Sequence, residues 1–88
     1  MIERYAKITN QQGLHARPAA QIVKLASTFH SDIEVVKDGF AVNGKSIMGV
    51  MMLAAECGSA IMIRADGPDE LKAVDALAEL VAQGFGEE

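Results

Sequence analysis

The chain has 88 residues, half of them hydrophobic and 23% charged, enough for one globular domain and too few for two. A chain this size has little room for a deep catalytic cavity, and its formal net charge of -4 argues against a general nucleic-acid binder, though not against a local positive patch. The lone cysteine, Cys57, excludes an internal disulfide framework and suits a reducing compartment.

Met1-Ile2-Glu3-Arg4 enters a polar-apolar pattern at once, without a signal-peptide core. The longest apolar run, Ile47 to Ala55, falls far short of the ~20 residues that span a bilayer. The expectation is a soluble, cytoplasmic monomer, one domain over residues 1–88, with no membrane insertion and a loose Glu87-Glu88 tail.

Residues 2–9 suit a strand, with Ile2, Ala6 and Ile8 on one face and Glu3, Lys7 and Thr9 on the other. Tyr5 is expected to join the sheet packing. Asn10 to Gly13 read as a turn or loop. From Ala16 the period becomes helical: Ala19, Ile22, Val23, Ala26 and Phe29 form one apolar stripe. Pro18 suits a first turn, where its missing N–H is not needed. His30 follows as a surface or loop residue. Residues 33–37 and 40–43 predict two short strands around a turn at Asp38-Gly39. Ser46 is a good N-cap for a short helix to about Leu53; Gly49 weakens that helix, and a strand also fits the pattern.

Gly58-Ser59 turns the chain into a strand at 60–65, with Ile61, Ile63 and Ala65 on one face. A last helix starts at Gly67-Pro68, with Leu71, Val74, Leu77, Ala78 and Val81 as its stripe and Gly84 as its cap. Asp69, Glu70, Asp75 and Glu79 read as its solvated acidic face. The order β-α-β-β-α-β-α predicts an α+β fold, an antiparallel sheet with helices on one face.

The chemistry is carried by Gly13-Leu14-His15-Ala16-Arg17-Pro18-Ala19-Ala20. Gly13 is read as loosening the loop, and His15 as sitting at or just before the N-terminal end of the first helix. The backbone amides of Ala16 and Arg17 then make an anion site. The same positive helix end disfavours the imidazolium, and a neutral imidazole keeps a lone pair with which to attack. Arg17 offers a guanidinium to phosphate oxygens. Together these groups supply positioning and charge neutralisation for phosphoryl transfer without a metal. A His-x-Arg alone reads more readily as a loop histidine beside a solvated arginine; Gly13, Pro18 and the helix start together bring the two readings level and leave both open.

These residues resemble the signature of the HPr family, the histidine-containing phosphocarriers of the bacterial phosphoenolpyruvate-dependent sugar phosphotransferase system. The run Gly13-Leu14-His15-Ala16-Arg17-Pro18-Ala19 is specific to that family, and the stretch from Gly44 to Leu53 matches its regulatory serine segment. The likeness covers the whole chain. It implies an HPr-like open-faced β-sandwich, a four-stranded antiparallel sheet with three helices on one face. It implies that enzyme I phosphorylates His15 on Nδ1, with Arg17 as phosphate partner, and that His15 then donates to sugar-specific enzyme IIA domains. No cofactor and no independent turnover are implied. The resemblance further implies that HPr kinase/phosphorylase modifies Ser46 and that a transcription regulator reads the phosphoserine.

The short helix has too many apolar residues for one face. With Val50 and Leu53 inward, Ile47, Met48 and Met51 either complete a small core or form an adaptable docking surface. The resemblance favours docking, and Lys24 and Lys45 would add a positive rim. Two related functions stay open: a nitrogen-branch phosphocarrier, of which Gln83-Gly84-Phe85 is reminiscent, and a purely regulatory interaction module. Gly39 to Ser46 also matches the P-loop expression, but Phe40, Ala41 and Val42 read as strand, not phosphate-wrapping loop. No metal site is expected, since Cys57 has no Cys or His partner at ligand spacing.

Overall fold

The computed structural model describes residues 1–86, so the expected looseness of Glu87-Glu88 lies outside the described residues. Among them the elements run β1 (Ile2–Lys7), α1 (Ala16–Ala26), β2 (Asp32–Lys37), β3 (Phe40–Asn43), α2 (Ile47–Met52), β4 (Ala60–Asp66) and α3 (Glu70–Ala82), followed by a turn at Gly84–Gly86. The sheet has the order β1-β4-β2-β3, and every neighbouring pair is antiparallel. The fold class is therefore the one expected, an α+β open-faced β-sandwich.

Local chemistry accounts for the tight connections. Asp38 and Gly39 both take positive φ, 52° and 81°, the geometry of a two-residue hairpin turn whose twist matches the flanking strands. Lys37 then faces Phe40, and Val35 faces Val42. This strand pairing also disposes of the P-loop pattern, because Phe40–Asn43 is committed to β3.

The core lies between one face of the sheet and the helices. Ile33, Val35, Val42, Ile61, Ile63 and Ala65 come from the strands; Ile22, Val50, Val74 and Leu77 come from the three helices. Burying each larger aliphatic side chain contributes roughly 1.5–3 kcal/mol. The opposite face carries no helix and mixes charged residues with Tyr5, Val36, Ala41 and Met62. There Arg64 bridges Glu3 and Glu34, each at 2.9 Å, across three adjacent strands.

Several sequence expectations change. Tyr5 is 75% exposed because it shares its parity with Glu3 and Lys7, on the uncovered face. Leu71 is 54% exposed, whereas Ala73, Val74, Leu77 and Val81 are buried. Two residues along a helix turn the side chain by about 200°, so Leu71 and Ala73 face opposite ways. Helix α3 begins at Glu70, later than Gly67-Pro68, with Asp69 as its N-cap.

Nor is Asp69 part of a solvated face. Its carboxylate accepts from the Ser31 hydroxyl at 2.5 Å, the His30 amide at 2.9 Å and the Ser31 amide at 3.0 Å. The Ser31 hydroxyl and then the His30 amide hold its carboxyl down at about 2. Asp75, further along α3, pairs with Arg4 of β1.

Candidate functional site

The site grows from the loop joining β1 to α1. Ile8 continues the strand ladder, its N–H on Ser59 O at 2.8 Å and its carbonyl accepting from Gly58 N–H at 2.7 Å. The chain then folds inward at Asn10, whose side-chain amide donates to Gly13 O at 2.8 Å. Gly13 takes a φ of +66°, and a Cβ there would stand 2.2 Å from Ala55 O. Only glycine fits, so Gly13 fastens the loop against the segment after α2 and does not loosen it. The next residue completes the join, with Leu14 N–H donating to Ala55 O at 2.9 Å.

This puts His15 at the N-cap of α1 in an extended conformation, φ -80° and ψ -171°. Its carbonyl accepts the first helical bond, from Ala19 N–H at 3.0 Å. The amides ahead of that bond have no partner within the helix. Pro18 has no N–H, which leaves those of Ala16 and Arg17 at the positive end of α1. The first turn carries no acidic residue to cancel that charge. Ala16 and Arg17 are exposed, and His15 is half-buried. Backbone donors, an exposed cation and an imidazole thus share one helix end, an arrangement that suits a transient anion on the ring.

Beside α1 packs α2. Ser46 caps it, accepting from Gly49 N–H at 3.1 Å. Val50 and Leu53 are buried as expected, while Ile47, Met48 and Met51 are exposed, Met48 to 74%. Met52, 66% exposed and one helical turn on from Met48, extends the same apolar surface and was not singled out from the sequence.

The two helices run antiparallel. Lys45, at the start of α2, donates through Nζ to Phe29 O just beyond the end of α1, at 2.9 Å. Ala55, past the end of α2, meets Leu14 at the start of α1. Ser46 is therefore at the far end of α2 from the His15 loop, separated by a six-residue helix of about 9 Å. Lys45 spends its ammonium on Phe29, whereas Lys24 is exposed in the last turn of α1.

The structure brings His15, Ala16 and Arg17 together at the start of α1, and it adds Asn10 and Ala55, which the sequence reading did not single out. An Asn followed by Gly three residues on signals a turn held by the Asn side chain. Ala55 gives no such signal, since its carbonyl matters only through its bond to Leu14, far away in sequence. Among the described residues, no group of three or more His, Cys, Asp or Glu could hold a metal ion, and no helix is long and apolar enough to cross a membrane.

Comparison with known proteins fits this geometry. The family model for the PTS HPr component phosphorylation site matches residues 2–83. The chain belongs to the HPr family. It is 49% identical over 87 residues to phosphocarrier protein HPr of Cupriavidus necator, covering 99% of this chain and 98% of that one. Identity to the HPr of Treponema pallidum is 48% over 88 residues, covering both chains in full. The crystal structure of HPr-C-His from Thermoanaerobacter tengcongensis superposes with a TM-score of 0.95 at 49% identity, covering 100% of this chain and 99% of that one. HPr is a phosphocarrier of the phosphotransferase system, and this chain carries that family's fold and function.

Proposed function

We propose that His15 accepts a phosphoryl group from enzyme I of the phosphotransferase system and passes it to enzyme IIA domains. The observation that carries this reading is His15 at the N-cap of α1, next to two first-turn amides and with no carboxylate in that turn. A neutral imidazole nitrogen attacks phosphorus; the new N–P bond forms as the bond from phosphorus to the donor breaks. The reverse exchange with an acceptor returns His15 to its neutral form. While the group rests on His15, its negative charge faces the Ala16 and Arg17 amides and the Arg17 guanidinium. A helix N-terminus favours such a charge by roughly 0.3–1 kcal/mol when exposed, which stabilises the covalently held group without trapping it.

Both partners dock on Ile47, Met48 and Met51 of α2 and on Lys24 of α1, a surface whose methionines adapt to different shapes. Ser46 is the regulatory position. HPr kinase/phosphorylase modifies it, a transcription regulator reads the product, and the phosphate sits at a helix N-terminus that tolerates it. Its added charge weakens docking of an acidic partner. The carrier works in the cytoplasm as one domain, without cofactor.

Incubation with phosphoenolpyruvate and enzyme I tests the reading. The wild-type chain is expected to form an acid-labile phosphoryl adduct that His15→Ala does not. No adduct, or an adduct that survives in His15→Ala, refutes it. For Ser46, the kinase should add an acid-stable label that Ser46→Ala lacks.

A further inference from the structure

We infer that Asn10 is a positioning residue for the phosphohistidine site, acting on His15 through the Gly13 carbonyl. The inference rests on the reading of His15 as the phosphoryl acceptor. Asn10 is 2% exposed, and its Nδ2 donates to Gly13 O at 2.8 Å. His15 N–H donates to that same oxygen at 3.0 Å. The other end of the Gly13–Leu14 peptide is held too, because Leu14 N–H donates to Ala55 O at 2.9 Å. A peptide is a rigid plane. Gripped at its oxygen by Asn10 and at its nitrogen by Ala55, this one has no freedom to rotate, and the His15 amide is tied to it.

The backbone direction entering His15, and with it the aim of the imidazole, is thereby set before any partner arrives. A side-chain amide taken out of water is costly unless its hydrogen bonds are made. An aliphatic residue would fill the same space without that cost, but it could not grip a carbonyl. Small displacements matter here, because a reacting atom misplaced by about 1 Å loses up to about a hundred-fold in rate.

The test compares Asn10→Asp and Asn10→Ala with wild type in phosphoryl transfer from enzyme I, varying carrier concentration. Asn10→Asp keeps the shape of the side chain and loses the donor; Asn10→Ala removes both. Neither touches the exposed residues of α1 and α2. The expectation is that turnover falls about ten-fold in both variants with KM unchanged. Leu77→Ala, in the core under the sheet, serves as the stability control and should keep turnover within two-fold at an equal or larger loss of thermal midpoint. Amide exchange at Leu14 should accelerate in the Asn10 variants and not in the control.

Asn10→Asp with turnover within two-fold of wild type overturns the inference, as does a fall that Leu77→Ala matches or one that appears in KM instead. These results leave the parent reading standing, provided that wild type takes the group on His15. A wild-type chain that forms no adduct on His15 overturns both.

Discussion

Replacing Gly13 with alanine puts the join between the His15 loop and the α2 exit under direct strain. The new Cβ would lie 2.2 Å from Ala55 O and 3.0 Å from Glu56 Cα, both backbone atoms that cannot swing aside. A carbon normally approaches a carbonyl oxygen no closer than about 3.3 Å, so the two segments must separate by about 1 Å. Three terms set the cost. The left-handed conformation, at φ +66°, costs an alanine roughly 1–2 kcal/mol. The separation breaks the bond from Leu14 N–H to Ala55 O, a loss of about 1 kcal/mol. Alanine restricts the unfolded chain more than glycine does, which returns roughly 0.4–1 kcal/mol.

The net expectation is a loss of about 2 kcal/mol, or a thermal midpoint lower by roughly 8–16 °C for a domain of this length. Thermal unfolding followed by circular dichroism measures the loss, and amide exchange at Leu14 locates it. A loss below about 0.5 kcal/mol, with Leu14 still protected, would refute the reasoning. It would mean that the loop does not depend on its contact with Ala55.

Ala54, just past α2, takes a φ of 50°, so Ala54→Gly should stabilise the chain by roughly 0.5–1 kcal/mol; a urea midpoint that falls would contradict this. Ser46→Ala should cost about 1 kcal/mol through the lost cap on Gly49, whereas Ser46→Asp, itself a good cap, should leave urea stability near wild type. Asp69 titrates at about 2 in the folded chain against an ordinary 3.8, so its contribution is fully present above 3.8 and is lost as pH falls through about 2. Asp69→Asn should therefore be less stable than wild type at neutral pH, with the gap closing between pH 4 and 2; a gap constant over that range would show that the carboxylate charge is not what holds His30 and Ser31.

The parts of the fold that were legible are those whose causes lie within a few residues. Asp38-Gly39 announced its turn because two adjacent positive φ values need those residue types. Ser46 announced its helix because a hydroxyl can reach an amide three residues on. The N-terminus of α1 was legible for the same reason, since Pro18 and the apolar stripe fix where the helix begins. Other features depend on what arrives from a distance. Tyr5 was assigned to sheet packing because it is aromatic, but its exposure follows from the helices covering only the other face. Asp69 looked like a surface carboxylate until the chain end of α1 brought His30 and Ser31 to it. Gly13 was recognisable as special, yet the reason was inverted: its missing side chain makes room for Ala55.

The opposed directions of α1 and α2 also decide how far the His15 end can be felt. Each helix is a line of aligned peptide dipoles, positive at its start. Laid side by side in opposite senses, the two lines partly cancel at distances larger than their spacing, and what survives is a field strong at each end and weak beyond. On a chain of formal net charge -4, the positive start of α1 draws an anion only at close range. On the proposed reading that partners dock on the exposed methionines of α2, recognition then rests on fit at short range rather than on attraction from afar.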